Sequence, residues 1–314
     1  MASIFPTVSQ QLWRNVITVG IASYLALPLV RFGIRYILRG KPPLRRLYGN
    51  TWAIITGSSG GIGLELAKQL AEEGLSVVLI ARDLSRLHEV AKEIQNKYGV
   101  QTRIVSIDAT ADKPDYSELK AVLTALPTPI SMLWNNVGVH NDVPANVVDM
   151  LPGDAKRIIT VNCLFQVEMT ALVAPLLRRG TAAKSMVVNV SSLTSRMAMP
   201  MLTVYAATKA FEEHYSECLS AELAPDGIEV LCLRPGITVS RMSGIATPSF
   251  FCPSAEVMAR ACISKLGRSL GSCAPYWPHA LLDGVNAWVP RSVAWAAVRD
   301  MHAKRRAEIL TKKE

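Results

Sequence analysis

The chain has 314 residues, half of them apolar, with 19 glycines, 18 prolines and a formal net charge of +9. That composition excludes a disordered or low-complexity chain and allows one large domain or two small ones. The charge is confined to the ends: residues 1–48 carry seven basic residues and no acid, and residues 291–314 carry seven against three acids. The middle is left slightly acidic, which excludes nucleic acid as a partner, whereas basic ends beside apolar segments fit an anionic membrane surface.

The six cysteines, Cys163, Cys218, Cys232, Cys252, Cys262 and Cys273, show no C-x-x-C and no metal-ligand spacing with histidine. Neither a disulfide framework nor a metal site is expected. Reduced, mostly buried cysteines imply a globular part that faces the cytosol.

The amino-terminal segment from Val16 to Leu38 reads VITVGIASYLALPLVRFGIRYIL. Its uncharged run, Val16 to Val30, falls short of the about 20 residues that a membrane span needs. Adding Phe32, Ile34, Tyr36 and Ile37 reaches that length if Arg31 and Arg35 snorkel to the interface. The alternative is an amphipathic helix lying on the membrane. Six basic residues between Arg31 and Arg46, against Arg14 alone on the other side, keep the following domain in the cytosol. A cleaved signal peptide is disfavoured, because the basic residues follow the apolar run. Lys41-Pro42-Pro43 ends the segment, and the expected division is 1–48 anchor and linker, 49–270 globular domain, and 271–314 apolar, basic-ended extension.

The globular part opens on the apolar run Trp52 to Thr56, the glycine turn GSSGGIG, and a helical pattern from Leu64. Strand, glycine turn and helix begin a dinucleotide-binding unit, with Gly57, Ser59, Gly61, Ile62 and Gly63 in the turn. Gly57 permits the tight turn, Gly61 the approach of backbone to a pyrophosphate, and Gly63 close helix packing. The helix amino terminus then offers unpaired N–H groups to the phosphates.

The next strand, Ser76 to Ala81, ends at Arg82, where an acid would select NAD and an arginine can pair with a ribose phosphate. NADP(H) is therefore the expected cofactor, with Asp83 next door as the competing feature. After a helix over Leu84–Tyr98, a strand over Arg103–Ile107 ends at Asp108, placed to meet the adenine. A helix over Pro114–Leu126 and a strand over Ile130–Trp134 lead to Asn135-Asn136-Val137-Gly138. Alternation of this kind predicts an α/β, Rossmann-like, doubly wound parallel sheet in a single domain, with ligands at the carboxyl ends of strands. Gly57, Arg82, Asp108, Asn135 and Gly138 all fall at such ends.

A helix over Gly153–Leu177 carries Asn162 in apolar company, and a buried amide needs partners. Strand Ser185–Val190 delivers Ser191 and Ser192. Tyr205 and Lys209 follow on a helix over Tyr205–Ala224, one turn apart on one face. A cation near a phenol favours its ionised form, so tyrosine, lysine and serine together suit proton transfer at a substrate oxygen. The pair alone is common on solvated helix faces; the strand ends around it give it meaning. Strand Glu229–Leu233 ends in Arg234-Pro235-Gly236-Ile237-Thr238, again with backbone amides available to a ligand.

TGSSGGIG, NNVG, Asn162, Ser192, YAATK and RPGITVS, in this order and spacing, resemble the short-chain dehydrogenase/reductase family over about Trp52 to Ile245. The resemblance implies that Tyr205 is the general acid/base and that Lys209 lowers its pKa and holds the nicotinamide ribose. It also implies that Ser192 binds the substrate carbonyl, with Ser191 as rival, and that Asn162 anchors a relay water. Ile237, Thr238 and Ser240 fall where members hold the cofactor's carboxamide end. The apolar basic leader, YGNTWAIITG, NNVG and PYWPHAL are similar to a membrane-bound subgroup of very-long-chain 3-oxoacyl-CoA reductases and 17β-hydroxysteroid dehydrogenases. That subgroup usually has aspartate where this chain has Gly60 and lacks glycine at Gly236, which marks a diverged member.

The expected activity interconverts a ketone and a secondary alcohol on a lipophilic substrate: sterol- or triterpenoid-like, another specialised metabolite, or a long-chain 3-oxoacyl group. The alternatives are NAD-dependent oxidation of a sterol-like alcohol, and a catalytically silent lipid-binding or scaffold protein. Arg241 to Cys252 is the expected substrate lid. Tyr276 to Val298, apolar but broken by Pro278, Asp283, Pro290 and Arg291, reads as an interfacial or re-entrant segment or a hydrophobic entrance. The tail Thr311-Lys312-Lys313-Glu314 partly matches a dilysine retrieval signal, and so supports the endoplasmic reticulum membrane. Expected partners are that lipophilic substrate and the membrane, with a homodimer left open.

Overall fold

The structure, a computed structural model, describes residues 5–38, 40, 42–179, 184–268 and 271–311. Arg39, Lys41 and the Lys312-Lys313-Glu314 tail, which carry part of the expected basic signal, lie outside them. The chain divides into two compact units, Met1–Lys41 and Pro42–Glu314. In the first, helix α1 (Phe5–Gly33) runs into a π-helical turn at Ile34–Leu38. Leu12, Trp13, Val16, Ile17, Val19, Ile21 and Tyr24 are exposed along it.

The second unit begins with α2 (Leu44–Tyr48), whose Leu44 and Tyr48 are buried. The sequence then alternates: β1 (Trp52–Thr56), α3 (Gly61–Glu72), β2 (Ser76–Ala81), α4 (Leu84–Tyr98), β3 (Thr102–Ser106), α5 (Ser117–Thr124) and β4 (Ile130–Asn135). Next come α6 (Asp154–Ile159), α7 (Phe165–Arg179), β5 (Ser185–Val190), α8 (Thr203–Leu223), β6 (Ile228–Leu233), α9 (Ala255–Ile263) and the short β7 (Ser272–Cys273). Two last helices, α10 (Trp277–Asn286) and α11 (Arg291–Thr311), occupy the expected apolar extension.

The strands form one sheet in the order β3-β2-β1-β4-β5-β6-β7, and every neighbouring pair is parallel. Both faces are covered, so β1, β2, β4 and β5 are apolar-rich and buried along their whole length. Side chains alternate between two cores, as strand period requires. Ala53, Ile55, Val77 and Leu79 join Leu66, Leu70 and Met258 on one face. Trp52, Ile54, Val78 and Ile80 join Phe165, Met169 and Leu219 on the other.

Two helices differ from their sequence reading. Helix α5 is shorter than Pro114–Leu126, because the Asp115 carboxylate accepts from the Ser117 N–H at 2.8 Å and holds the preceding residues in a turn. The helix expected over Gly153–Leu177 is interrupted by a π-helical turn at Thr160–Leu164, which contains Asn162; such turns frequently accompany functional sites. Among the described residues, this same stretch, Asp154–Arg178, is the helix that meets the length and apolarity of a membrane span. Its Ile158, Val161, Phe165, Met169 and Val173 are buried in the domain, which makes it a core helix. Tyr276–Val298 holds α10 and the first turns of α11, with the break falling at the expected Pro290 and Arg291.

Candidate active site

The glycine turn lies at the carboxyl end of β1. Gly57 has φ +69°, and a Cβ there would stand 3.0 Å from Asn136 Nδ2 and 3.1 Å from Val137 Cα. A Cβ on Gly63 would stand 2.3 Å from the Gly57 carbonyl oxygen, so that position has no room for a side chain. The Gly57 and Ser58 N–H groups donate to the Ile80 carbonyl at 2.8 and 3.2 Å, and the Ser58 hydroxyl is buried against it as well. The turn is thereby pinned to β2. Ser59, Gly61 and Ile62 remain half-buried on its open side. No side chain caps the amino terminus of α3, whose first-turn N–H groups and partial positive charge suit a pyrophosphate.

The segment after β4 ties this turn to the catalytic face. Thr56 Oγ1 donates to the Trp134 carbonyl at 3.2 Å and accepts from the N–H groups of Asn136 and Val137 at 2.9 and 3.1 Å. Asn136 Nδ2 donates to the Thr56 carbonyl at 2.9 Å. Asn135, the residue singled out from sequence, instead turns its amide inward, donating to Thr170 Oγ1 at 3.0 Å and Asn189 Oδ1 at 2.9 Å. The structure therefore gives the contact with the glycine turn to Asn136.

At the end of β2, Arg82 is exposed, with its backbone carbonyl held by the Ser106 hydroxyl at 3.2 Å. Its neighbour Asp83 is the N-cap of α4, accepting from the Arg86 N–H at 3.0 Å and the Ser85 hydroxyl at 2.8 Å. Those two bonds hold the Asp83 carboxyl below the usual carboxylate range. The acid is thus committed to its helix, and the arginine is not. Asp108, at the end of β3, accepts from the Thr110 N–H and hydroxyl at 2.9 and 2.8 Å, which likewise lowers its pKa. The loop after β6 reaches back over the turn: a Cβ on Gly61 would lie 3.7 Å from Ser240 Cβ, and one on Gly60 3.7 Å from a guanidinium nitrogen of Arg241. Thr238 is buried, its hydroxyl donating to the Gly236 carbonyl at 3.1 Å, while Ile237 is exposed.

Helix α8 carries the proton-transfer candidates. Lys209 Nζ stands 5.8 Å from the Tyr205 ring centroid, and the His140 ring meets that tyrosine edge-on at 5.7 Å. Asn162 is fully buried: its amide donates to the Val139 carbonyl and Thr208 Oγ1, both at 2.9 Å, and accepts from the Val139 N–H at 2.8 Å. A Cβ on Gly138 would fall 3.3 Å from Lys209 Nζ and 3.5 Å from Asn162 Oδ1. Lys209, Asn162 and Gly138 thus converge. The two serines separate: the Ser191 hydroxyl donates to the Lys209 carbonyl at 2.7 Å, whereas Ser192 Oγ accepts from the Thr194 N–H at 3.2 Å. Ser192 therefore keeps its proton for another acceptor.

Lys209 has a buried companion in Glu212, whose two oxygens accept from Nζ at 2.8 and 2.9 Å. Burial opposes the lysine charge, but Glu212 and then Tyr205 outweigh it and hold the ammonium above the ordinary lysine range. Sequence reasoning gave no individual site role to Thr56, Asn136, His140, Glu212 or Arg241. Adjacency to the quoted motifs, and the i,i+3 spacing of Glu212 from Lys209, were the available signals. A cavity of about 1080 Å³ opens on the α8 face bearing Ala206, Ala207 and Ala210, and is also lined by Val289 and Trp295.

A family model described as short chain dehydrogenase matches residues 51–248. A very-long-chain 3-oxoacyl-CoA reductase of Yarrowia lipolytica is 34% identical over 80% of this chain and 69% of its own. One of Rattus norvegicus is 32% identical over 83% and 82%. Among solved structures, a short-chain dehydrogenase from Sphingobium yanoikuyae in complex with NADPH superposes with TM-score 0.64 at 26% identity, covering 76% of this chain and 94% of that one. With that match spanning the glycine turn, the Asn162 turn and the Tyr205–Lys209 helix, the chain belongs to the short chain dehydrogenase family of oxidoreductases.

Proposed function

We propose that this protein interconverts a ketone and a secondary alcohol on a lipophilic substrate, uses NADP(H), and works at a membrane. The observation that carries the reading is the convergence of Lys209, Asn162 and Gly138 beside Tyr205, together with a glycine turn whose Gly57 and Gly63 leave no room for a side chain.

The nucleotide fits the residues present. Gly57, Ser59, Gly61, Ile62 and Gly63 would hold the pyrophosphate by backbone, Asp108 the adenine, and Arg82 the ribose phosphate, with Asp83 withdrawn into its cap. Gly138, Ile237, Thr238 and Ser240 would flank the nicotinamide end, and Asn135 would act through its backbone only. When bound, the nicotinamide supplies or takes up hydride at the carbonyl carbon. Tyr205 gives its phenolic proton to the carbonyl oxygen in reduction and takes it back in oxidation. Ser192, with its hydroxyl proton free, orients that oxygen. Lys209 holds positive charge beside the phenol, and Asn162 fixes the Val139 backbone that borders the site.

The named activity of the reductases at 32–34% identity supports a 3-oxoacyl-CoA as one candidate substrate. The exposed apolar residues Ile237, Met242, Phe250, Phe251 and Trp277 suit a lipophilic one more generally. Residues 1–48 would anchor the enzyme, residues 49–270 carry the chemistry, and residues 271–314 form the extension. Helix α1, apolar over a broad face and followed by basic residues, supports attachment to the endoplasmic reticulum membrane with the catalytic domain in the cytosol.

The deciding experiment offers full-length protein NADPH with 3-oxohexadecanoyl-CoA and a panel of lipophilic ketones. Tyr205→Phe is expected to lower turnover by about 100-fold or more while NADPH still binds. Full activity in that variant overturns the assignment.

A further inference from the structure

Glu212 is one helical turn beyond Lys209 on α8 and is 1% exposed. Its two oxygens lie 2.8 and 2.9 Å from Nζ and share an ammonium proton between them, and the Val190 carbonyl at the end of β5 accepts another, at 3.1 Å. The ammonium is thereby tied both to the carboxylate and to the end of β5. Burying a carboxylate this completely is costly unless it is paired, and the partner here is the ammonium that stands beside the Tyr205 ring. A pair serving the helix alone could sit on any solvated face. This one sits where its charge balance reaches the reacting phenol.

We infer that Glu212 is a positioning residue for the reaction: it fixes Lys209 beside Tyr205 and offsets part of the ammonium charge, and so sets how readily Tyr205 gives and takes its proton. The inference rests on Tyr205 being the acid/base group. The other titratable groups around the pair add no competing charge at neutral pH. Cys163, from the π-helical turn, is pushed up to about 11 by burial, and Cys232, from β6, up to about 12. Both therefore stay neutral thiols, and Glu213 lies beyond Cys232, paired with Arg196 and Arg234. Burial also lifts Glu212 above the usual carboxylate range, against the pull of Lys209. His140 faces the tyrosine rather than the pair, so it remains constant between Glu212 variants.

The test titrates phenolate absorbance in full-length protein and isolates Tyr205 by subtracting the matching Tyr205→Phe protein at each step. In Glu212→Gln the offset is lost and the phenolate of Tyr205 is expected to form about one pH unit lower than in the wild type. Glu212→Asp, which keeps the charge, is expected to restore the wild-type midpoint. An unchanged midpoint in Glu212→Gln, whatever its melting temperature, overturns the inference and leaves Glu212 a structural ion pair. If Glu212→Gln does not fold, the double variant Lys209→Met, Glu212→Leu replaces the pair by apolar groups. Its midpoint is expected to rise by less than about one unit, because only the part of the ammonium charge that Glu212 leaves uncompensated is lost, and a rise of more than about one unit overturns the inference. The titration needs no substrate. Unimpaired turnover in Tyr205→Phe would sink the acid/base reading, while the midpoint still reports whether Glu212 acts on Tyr205.

Discussion

The two sides of the strand-end cleft are made of different material. On the nucleotide side, the ends of β1 and β4 are backbone turns locked by buried bonds, with Thr56, Ser58 and Asn136 all spent on holding Gly57 to Gly63 in place. On the side proposed for the substrate, the loop after β6 and the start of α10 leave Ile237, Met242, Phe250, Phe251 and Trp277 exposed, and the loop is held by two isolated bridges, Ser240 to Ile245 and Ser249 to Cys252. A turn packed to contact accepts one ligand in one register. A loose apolar loop can change its residues without disturbing the sheet. Hence the nucleotide side identifies the family, and the substrate side keeps the substrate open.

The largest expected effect tests the locked side. In Gly63→Ala the new methyl would meet the Gly57 carbonyl oxygen at 2.3 Å and Asn136 Nδ2 at 2.5 Å. Backbone must move, so the variant should lose about 1–3 kcal/mol of stability and bind NADPH more than about tenfold more weakly. Denaturant melts and fluorescence titration measure the two. Phe250→Ala on the loose side should leave NADPH affinity within about twofold, since an exposed side chain away from the turn contributes little. Equal damage from both substitutions would break the contrast.

A smaller effect sharpens it within the nucleotide side. On the proposed reading Arg82→Ala removes a charge-assisted contact with a ribose phosphate and nothing from the sheet, so NADPH affinity should fall about tenfold. NADH affinity should hold. A parallel loss for both nucleotides would show that Arg82 does not read the phosphate.

The contrast also explains what the sequence could disclose. The sheet was legible because strands covered on both faces are almost continuously apolar, and the glycine turn because Gly57 and Gly63 leave no room for a side chain. Adjacent residues at strand ends were harder. Asn135 and Asn136, like Ser191 and Ser192, face opposite ways by the strand period, and the spacing of a motif does not say which face meets the ligand. The π-helical turn at Asn162 was hidden because apolar periodicity runs through it. Glu212 was hidden for the reverse reason: an acid three residues after a lysine reads as a solvated pair, and its burial follows from how α8 packs against β5.

The smallest effect belongs to the joint between the two sides. His279 is fully buried at the start of α10; its Nδ1 accepts from the Gly236 N–H at 2.9 Å and its Nε2 lies 2.9 Å from the Phe251 carbonyl. The ring would stand 3.0 Å from any Cβ at Gly236, so glycine there is what lets the histidine in. These bonds require a neutral imidazole with its proton on Nε2. Burial pushes His279 below the ordinary histidine range, and the Phe251 carbonyl pulls the other way without prevailing. Above about pH 6.5 both folded and unfolded chains hold this histidine neutral, and its contribution to stability is fully present. As pH falls further, the unfolded chain takes up the proton first, so stability is lost. The melting temperature should therefore be lower at about pH 5.5 than at about pH 7.5, and the gap should narrow in His279→Gln. Glutamine keeps a donor for the Phe251 carbonyl and cannot be protonated. Tyr276 packs edge-on against the ring at 5.1 Å, and the nearest acid along α10, Asp283, is paired with Arg234 at 2.8 Å. Neither supplies a competing charge, so an undiminished gap in the variant would mean that His279 is not the group whose protonation weakens the fold.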